Sequence, residues 1–395
     1  MKNTLLTLAI ASTLLISCGE DDTSDVIINN VDNSVTTTGG GTVDPNAGEK
    51  IDLSGSQTTD ITLEAKNEYT ITGPFVMQPG TTLTIEAGTV IEAQASGSDV
   101  YIAIAQGAKI IADGTKDLPI VMTSNSTAPK AGDWGGLIIL GNAPINSVSA
   151  GTSTSEIGGL PYGGTDATDN SGTIRYVRVQ YSGGKADGQS ENNGFSFYGV
   201  GSGTTVEYIQ MYEGLDDGLE FFGGTVNVSY VSVINAQDDS IDWTEGFTGK
   251  VTNAYIQHGV DHDKAFECDG YNTDIGNNAS PQFFSAPEVL NVTVVSANDA
   301  SEAIRLRAGT QGIFTNILLN DFDEGFDLDG DTGDNPTGQG VLDGLLKVVD
   351  VTFNNVTTKL KNDTGFTFTE ADFISGDGNG TGTDYADWGA GWTVE

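Results

Sequence analysis

A six-residue pattern recurs along the second half of the chain and limits its fold more than any other feature. Two polar positions and a small residue precede an apolar, a polar and an apolar position. The copies are Asn192-Asn193-Gly194-Phe195-Ser196-Phe197, Asp216-Asp217-Gly218-Leu219-Glu220-Phe221, Asp238-Asp239-Ser240-Ile241-Asp242-Trp243, Asp263-Lys264-Ala265-Phe266-Glu267-Cys268, Ser301-Glu302-Ala303-Ile304-Arg305-Leu306 and Asp323-Glu324-Gly325-Phe326-Asp327-Leu328. Successive first apolar positions lie 24, 22, 25, 38 and 22 residues apart. The long interval contains Tyr271 to Ala286, a Gly-, Asn- and Pro-bearing insertion whose removal restores the period.

Within each copy the apolar residues are two apart, which is strand periodicity. Other alternating runs precede the copies, such as Val206 to Met211, Val228 to Val233 and Val251 to Ile256, and no helical pattern of useful length intervenes. Short strands at this period, with small residues at a fixed corner, predict an all-β fold: a right-handed parallel β-helix, the solenoid of pectate lyases. A propeller blade would need about 40–45 residues. A sandwich gives no reason to stack like residues at like corners.

The same patterning reads upstream through Thr82 to Ile91, Ala108 to Gly114, Pro119 to Ser124 and Gly132-Asp133-Trp134-Gly135-Gly136-Leu137-Ile138-Ile139-Leu140-Gly141. With the closing Asp387-Trp388-Gly389-Ala390-Gly391-Trp392, these strings resemble a family of β-helix surface lipoproteins from Bacteroidetes and marine bacteria. Some members are labelled multidrug transporters. No apolar run beyond the N-terminal segment is long enough to span a bilayer, so transport is not expected here.

Lys2, the apolar stretch Leu5 to Leu14 and Leu15-Ile16-Ser17-Cys18 read as a secretory signal ending in a sequence that resembles the bacterial lipobox. Residues 1–17 are then a signal peptide, and Cys18 is the lipidated first residue of the mature chain. Its acyl chains would anchor it in the outer membrane. Glu20-Asp21-Asp22 resembles an acidic surface-export signal, so display on the cell exterior is expected. Residues 18–50, rich in Asp, Asn, Thr and Gly, read as a disordered tether, leaving 51–395 as the β-helix domain.

The chain has 55 Asp+Glu against 16 Lys+Arg, a net charge of -39, which excludes nucleic acid as an electrostatic partner. In a β-helix, equivalent residues of successive rungs stand about 4.8 Å apart. One column reads Asn192, Asp216, Asp238, Asp263, Ser301, Asp323; the next reads Asn193, Asp217, Asp239, Lys264, Glu302, Glu324; the outward strand position reads Ser196, Glu220, Asp242, Glu267, Arg305, Asp327. Carboxylates stacked this closely repel unless compensated. Calcium, which takes six to eight oxygen ligands, is the expected cofactor, held by Asp216, Asp217, Glu220, Asp238, Asp239 and Asp242. The alternative is a solvated acidic face. Asp327, Asp329 and Asp331 form a second calcium candidate in an Asp-rich turn; it is not an EF-hand, because its twelfth position is Gly338.

Arg305 and Arg307 break the acidic pattern, either as salt-bridge braces or as a fork for an anionic ligand group. His258, Asp261, His262 and Asp263 fit no established zinc spacing and read as a polar turn. Cys268 falls in the apolar column with Phe221 and Trp243 and reads as a buried hydrophobe. Polygalacturonase-like enzymes use Asn-Thr-Asp, Asp-Asp, Gly-His-Gly and Arg-Ile-Lys in that order. Here Asn272-Thr273-Asp274 follows the Asp-Asp pairs, and no His comes after it. The expected function is therefore a non-catalytic surface module, calcium-stabilised, for extracellular polysaccharide or an outer-membrane partner such as a TonB-dependent receptor. A calcium-dependent polysaccharide lyase or glycoside hydrolase is the alternative, and a structural surface coat the second.

Overall fold

The computed structural model describes residues 48–148, 152–186, 191–272, 282–297, 301–330 and 336–395. Strands from each turn of chain join three parallel ladders of a right-handed β-helix. The first runs from Ile61–Leu63 through Thr82–Ile85 and Lys109–Asp113 into the front halves of Gly172–Gln180, Thr205–Gly214, Asn227–Ala236, Lys250–Gln257, Glu288–Val295, Gly312–Leu328 and Leu346–Asn362. The second starts at Lys50–Gln57, passes Glu68–Met77, Val90–Ala93 and Ile120–Ser124, and continues in the rear halves of the same strands. The third stacks Ile102–Ile104, Leu137–Leu140, Phe195–Tyr198, Leu219–Phe222, Ile241–Thr244, Phe266–Asp269, Glu302–Arg307 and the end of Gly312–Leu328. The six-residue repeats all lie at this third ladder.

Each long strand turns from the first ladder into the second at one residue with left-handed backbone. Tyr176, Tyr208, Tyr230, Asn253, Asn291, Asn316 and Asp350 occupy that bend with φ between 48° and 60°. Asn and Asp tolerate this conformation, whereas for other residues it costs about 1–2 kcal/mol. Stacking offsets the cost for the tyrosines: Tyr176 and Tyr208 lie 4.4 Å apart and Tyr208 and Tyr230 4.2 Å. The asparagines instead form an amide ladder, Asn291 Nδ2 donating to Asn253 Oδ1 at 2.9 Å and Asn316 Nδ2 to Asn291 Oδ1 at 2.8 Å.

The tryptophan-rich closing string straps this bend. The Thr381 and Gly382 N–H groups donate to Asn316 Oδ1 at 2.6 and 3.2 Å. Tyr385 stacks on Tyr255 at 4.0 Å, and Trp388 and Trp392 meet Tyr230 and Tyr176 edge-on. Gln210 exchanges hydrogen bonds with the Val394 backbone at 2.7 and 2.9 Å. Five rungs are thereby tied by one segment.

The inward residues of all three ladders form one core, including Phe197, Phe221, Trp243, Cys268 and Leu306. A second apolar cluster lies outside the third ladder, where the excursion after Leu137–Leu140 lays Ile145, Ile157 and Tyr162 over Tyr198 and Phe222. No helix among the described residues is long and apolar enough to cross a membrane.

Candidate functional site

The outward face of the third ladder carries the acidic columns. Register puts Ser196, Glu220, Asp242, Glu267, Arg305, Asp327 and Lys361 side by side on consecutive rungs. Asp217 and Asp239 stand in the turn just before their strands. Asp217 Oδ1 accepts the Asp239 N–H at 2.9 Å, and Asp239 Oδ1 accepts the Lys264 N–H at 2.8 Å. Each of these carboxylates thus ties its rung to the next with one oxygen and keeps the other for the cluster.

Internal cations neutralise most of the face. Lys185 Nζ lies 2.8 Å from Glu191, 3.2 Å from Asp216 and 3.5 Å from Asp238. Lys264, only 3% exposed, reaches Asp263 at 2.5 Å, Glu267 at 3.1 Å and Asp239 at 3.6 Å. Arg307 bridges Glu267 and Asp269 at 2.6 Å each. Arg305 pairs with Glu302 at 2.6 Å and approaches Glu267 and Asp329 at 3.8 and 3.9 Å. Lys361 contacts Asp327 at 2.8 Å and Glu324 at 3.4 Å.

One group lacks such a counter-ion. Asp217, Glu220 and Asp242 each place an oxygen within 4.8 Å of the others. Among the described residues, no Lys or Arg nitrogen comes within 4.0 Å of any of them. Glu220 Oε2 accepts Asn193 Nδ2 at 2.7 Å. Among the described residues, the buried Asp242 Oδ1 has no hydrogen-bond partner. Burial first, and neighbouring carboxylates second, raise the pKa values of Asp217, Glu220, Asp239 and Asp242 well above the usual range. Burial and crowding thus favour the protonated forms of the triad, in competition with any divalent ion it would hold.

The six carboxylates expected to act together divide into three environments. Asp216 and Asp238 face Lys185, Asp239 faces Lys264, and Asp217, Glu220 and Asp242 have no cation within 4.0 Å among the described residues, Arg307 reaching Asp242 only through longer-range attraction. Asp327 does not pair with Asp329 in a turn: it joins Glu302 and Glu324, its Oδ2 on Lys361. Asp329 belongs to no three-carboxylate cluster among the described residues, and Asp331 lies outside them, as does Cys18. Most of the expected insertion, residues 273–281, also falls outside. Arg305 and Arg307 are both held in ion pairs. Cys268 is fully buried, its thiol pushed up by burial and the surrounding acids.

Sequence reasoning missed Lys185 and Glu245. At the bend after the third-ladder strand, Gly199 and Gly223 take positive φ, and Glu245 holds the same place with φ 53°. Its buried carboxylate accepts from Ser147 Oγ and Tyr162 OH at 2.8 Å each and from Asn272 Nδ2 at 3.3 Å. Burial raises its pKa and these donors oppose the shift. Glu245 pins the outer excursion to the rung of Asp242. An acid in a column of otherwise small residues, Gly199, Gly223, Gly270 and Ala308, was the available signal.

No curated protein sequence matches the chain. Among solved structures, the catalytic unit of the thermostable GH87 alpha-1,3-glucanase of Streptomyces thermodiastaticus is similar, with 13% identity and a TM-score of 0.35. The alignment covers 83% of this chain and 64% of the glucanase unit, so the chain spans a little under two thirds of that structure. Residues 55–393 match the family described as Pectate-lyase like beta helix domain, nearly the whole extent of the ladders. The chain belongs to the pectate-lyase-like β-helix family.

Proposed function

We propose that the protein is a calcium-binding β-helix displayed outside the cell, where its acidic ladder engages extracellular polysaccharide or an outer-membrane partner without cleaving it. The observation that carries this reading is the Asp217, Glu220 and Asp242 triad, which among the described residues has no cation within ion-pair distance and leaves the buried Asp242 Oδ1 without a hydrogen-bond partner. Oxygens sharing one Ca²⁺ lie at most about 4.6–5.2 Å apart, against about 4.0–4.2 Å for Mg²⁺. The triad oxygens, all within 4.8 Å of one another, are close enough to share one such ion. Two oxygens of the triad already accept protein N–H groups, so solvent or ligand hydroxyls would complete the coordination. In titration calorimetry one Ca²⁺ is expected to bind with release of protons, and Glu220→Gln with Asp242→Asn should abolish the heat. An undiminished heat in that double variant would remove the triad from the proposal.

Glycoside hydrolysis is the second reading, favoured by the family and by the raised pKa of the triad carboxyls, which could serve as general acids. A lyase is less well supported, because it needs an uncharged base. Burial of Lys264 works against its charge, but Asp239, Glu267 and Asp263 outweigh it and hold the ammonium protonated. Arg307 is held charged in the same way by Asp269 and Glu267. Purified protein is accordingly expected to leave pectin and alginate intact. Rising ultraviolet absorbance from unsaturated products, lost in Arg305→Ala, would establish the lyase instead.

Display at the surface rests on Cys18. Its replacement by Ala should abolish metabolic fatty-acid labelling and release the protein from the outer-membrane fraction. Unchanged labelling and fractionation would exclude the anchor.

A further inference from the structure

The two ends of the solenoid each carry part of a rung. Lys50–Gln57 opens the second and third ladders and, among the described residues, pairs on one side only, with Glu68–Met77. Its rung has no first-ladder strand, because that ladder begins one rung later at Ile61–Leu63. At the other end the case is reversed. Ile374–Asp377 adds a first-ladder strand beyond Leu346–Asn362, pairing with Val348, Val349 and Val351. The outer edge of residues 352–362 meets no further strand among the described residues. The helix Glu370–Phe373 leaves that edge open, since it lies at the corner ahead of the first ladder, against the helix Thr337–Leu342 of the rung before.

The missing parts are complementary. Register followed from rung to rung puts Ile51 in the column that ends in Phe353. Gly55 and Ser56 stand in the columns that end in Leu360 and Lys361. Leu63 stands in the one that ends in Ile374. Lys50–Gln57 of a second copy would therefore complete the rung that Ile374–Asp377 begins, and its Ile61–Leu63 would follow on Ile374–Asp377. All three ladders would run on unbroken. The partly buried hydrophobics packed on the main core, Ile51, Ile61, Phe353, Val356, Leu360 and Phe368, all lie at these two ends. Charge agrees: Leu346–Asn362 carries three Lys to one Asp, and residues 49–64 carry four acids to one Lys.

We propose that the protein associates end to end, the Lys50–Gln57 edge of one copy adding to the edge of residues 352–362 of a second. Unpaired edges present backbone N–H and C=O groups at the spacing a further strand needs. A strand from an unrelated protein would cover one edge, whereas a second copy supplies the second- and third-ladder strands together, in register, and covers Phe353 and Leu360 with its own first rung. The contact joins different surfaces of the two copies and does not close on itself, so it produces linear assemblies rather than a closed dimer.

The test introduces Ser56→Cys and Lys361→Cys into the full-length chain carrying Cys18→Ala; Cys268 is fully buried and does not compete. Within one chain the two positions are ten rung spacings apart. That is about 48 Å, far beyond the roughly 4.4–6.8 Å between Cα atoms that a disulfide spans, so any bond between them joins two copies. Under mild oxidation the double variant should give covalent dimers, trimers and longer species. An equal mixture of the two single variants should stop at dimers, and each single variant alone should give no dimer above the background of the parent chain. Sedimentation velocity of the parent chain, without the new cysteines, should show a mean mass that rises with concentration. A parent chain that stays monomeric at every concentration, an oxidised double variant with nothing above monomer, or a single variant that dimerises as fully as the mixture would overturn the end-to-end contact.

Discussion

Replacing Trp243 by Ala is expected to destabilise the native protein by about 3–5 kcal/mol, the range for truncating a fully buried large aromatic side chain. Trp243 is 0% exposed and stands where the third ladder faces the first, its ring among Phe247, Phe266 and Phe314. Its Nε1 donates to Thr310 Oγ1 at 3.1 Å, so truncation also strips a partner from a buried hydroxyl. At about 2.1 cal/mol/K per residue of unfolding entropy, the loss lowers Tm by roughly 4–7 °C for a domain of this size. Trp243→Phe, which keeps most of the volume and gives up only the indole hydrogen bond, should cost less than half as much. Urea unfolding of the three proteins decides the matter. A Trp243→Ala variant within 1 kcal/mol of native would mean that this rung does not hold its neighbours.

That tryptophan was legible because a strand has a period of two. Once Leu219, Ile241 and Phe266 were aligned, Phe221, Trp243 and Cys268 had to point inward, and Glu220, Asp242 and Glu267 outward. The observed register pairs these same residues rung by rung. What could not be read was charge compensation. Lys185 and Glu191 come from the segment between Gly172–Gln180 and Phe195–Tyr198, whose path follows no period, so nothing in their spacing places them over Asp216 and Asp238. Asn193 lay in an aligned column, but its side-chain reach to Glu220 on the next rung depends on rotamer rather than register. The Ser147 and Tyr162 hydroxyls on Glu245 are about one hundred residues distant in sequence and meet only because an outer excursion folds over the ladder.

The larger consequence of that uneven compensation is a dependence of stability on pH that calcium reverses. Asp217, Glu220, Asp239 and Asp242 have folded-state pKa values raised above those of an unfolded chain, about 4. Their protonated forms thus contribute stability that is fully present below about pH 4 and is lost as pH rises through the raised folded values. Metal-free protein is expected to melt at a lower temperature at pH 8 than at pH 5. A bound cation needs the ionised forms, so added Ca²⁺ should raise Tm more at pH 8 than at pH 5. Asp217→Asn keeps the oxygen that accepts the Asp239 N–H and removes a charge. Combined with Asp242→Asn, it should flatten both the pH dependence and the calcium response.

Thermal melting of native protein at pH 8, in chelator and in millimolar Ca²⁺ at equal ionic strength, tests the central claim most directly. An ion at one hundred times its dissociation constant stabilises by about 2.7 kcal/mol, which for a domain of this length is a rise of about 4 °C. The account predicts that rise with Ca²⁺, a smaller one with Mg²⁺, and its loss in Asp217→Asn with Asp242→Asn. Identical melting temperatures in chelator and calcium would contradict it and leave the acidic ladder a solvated face.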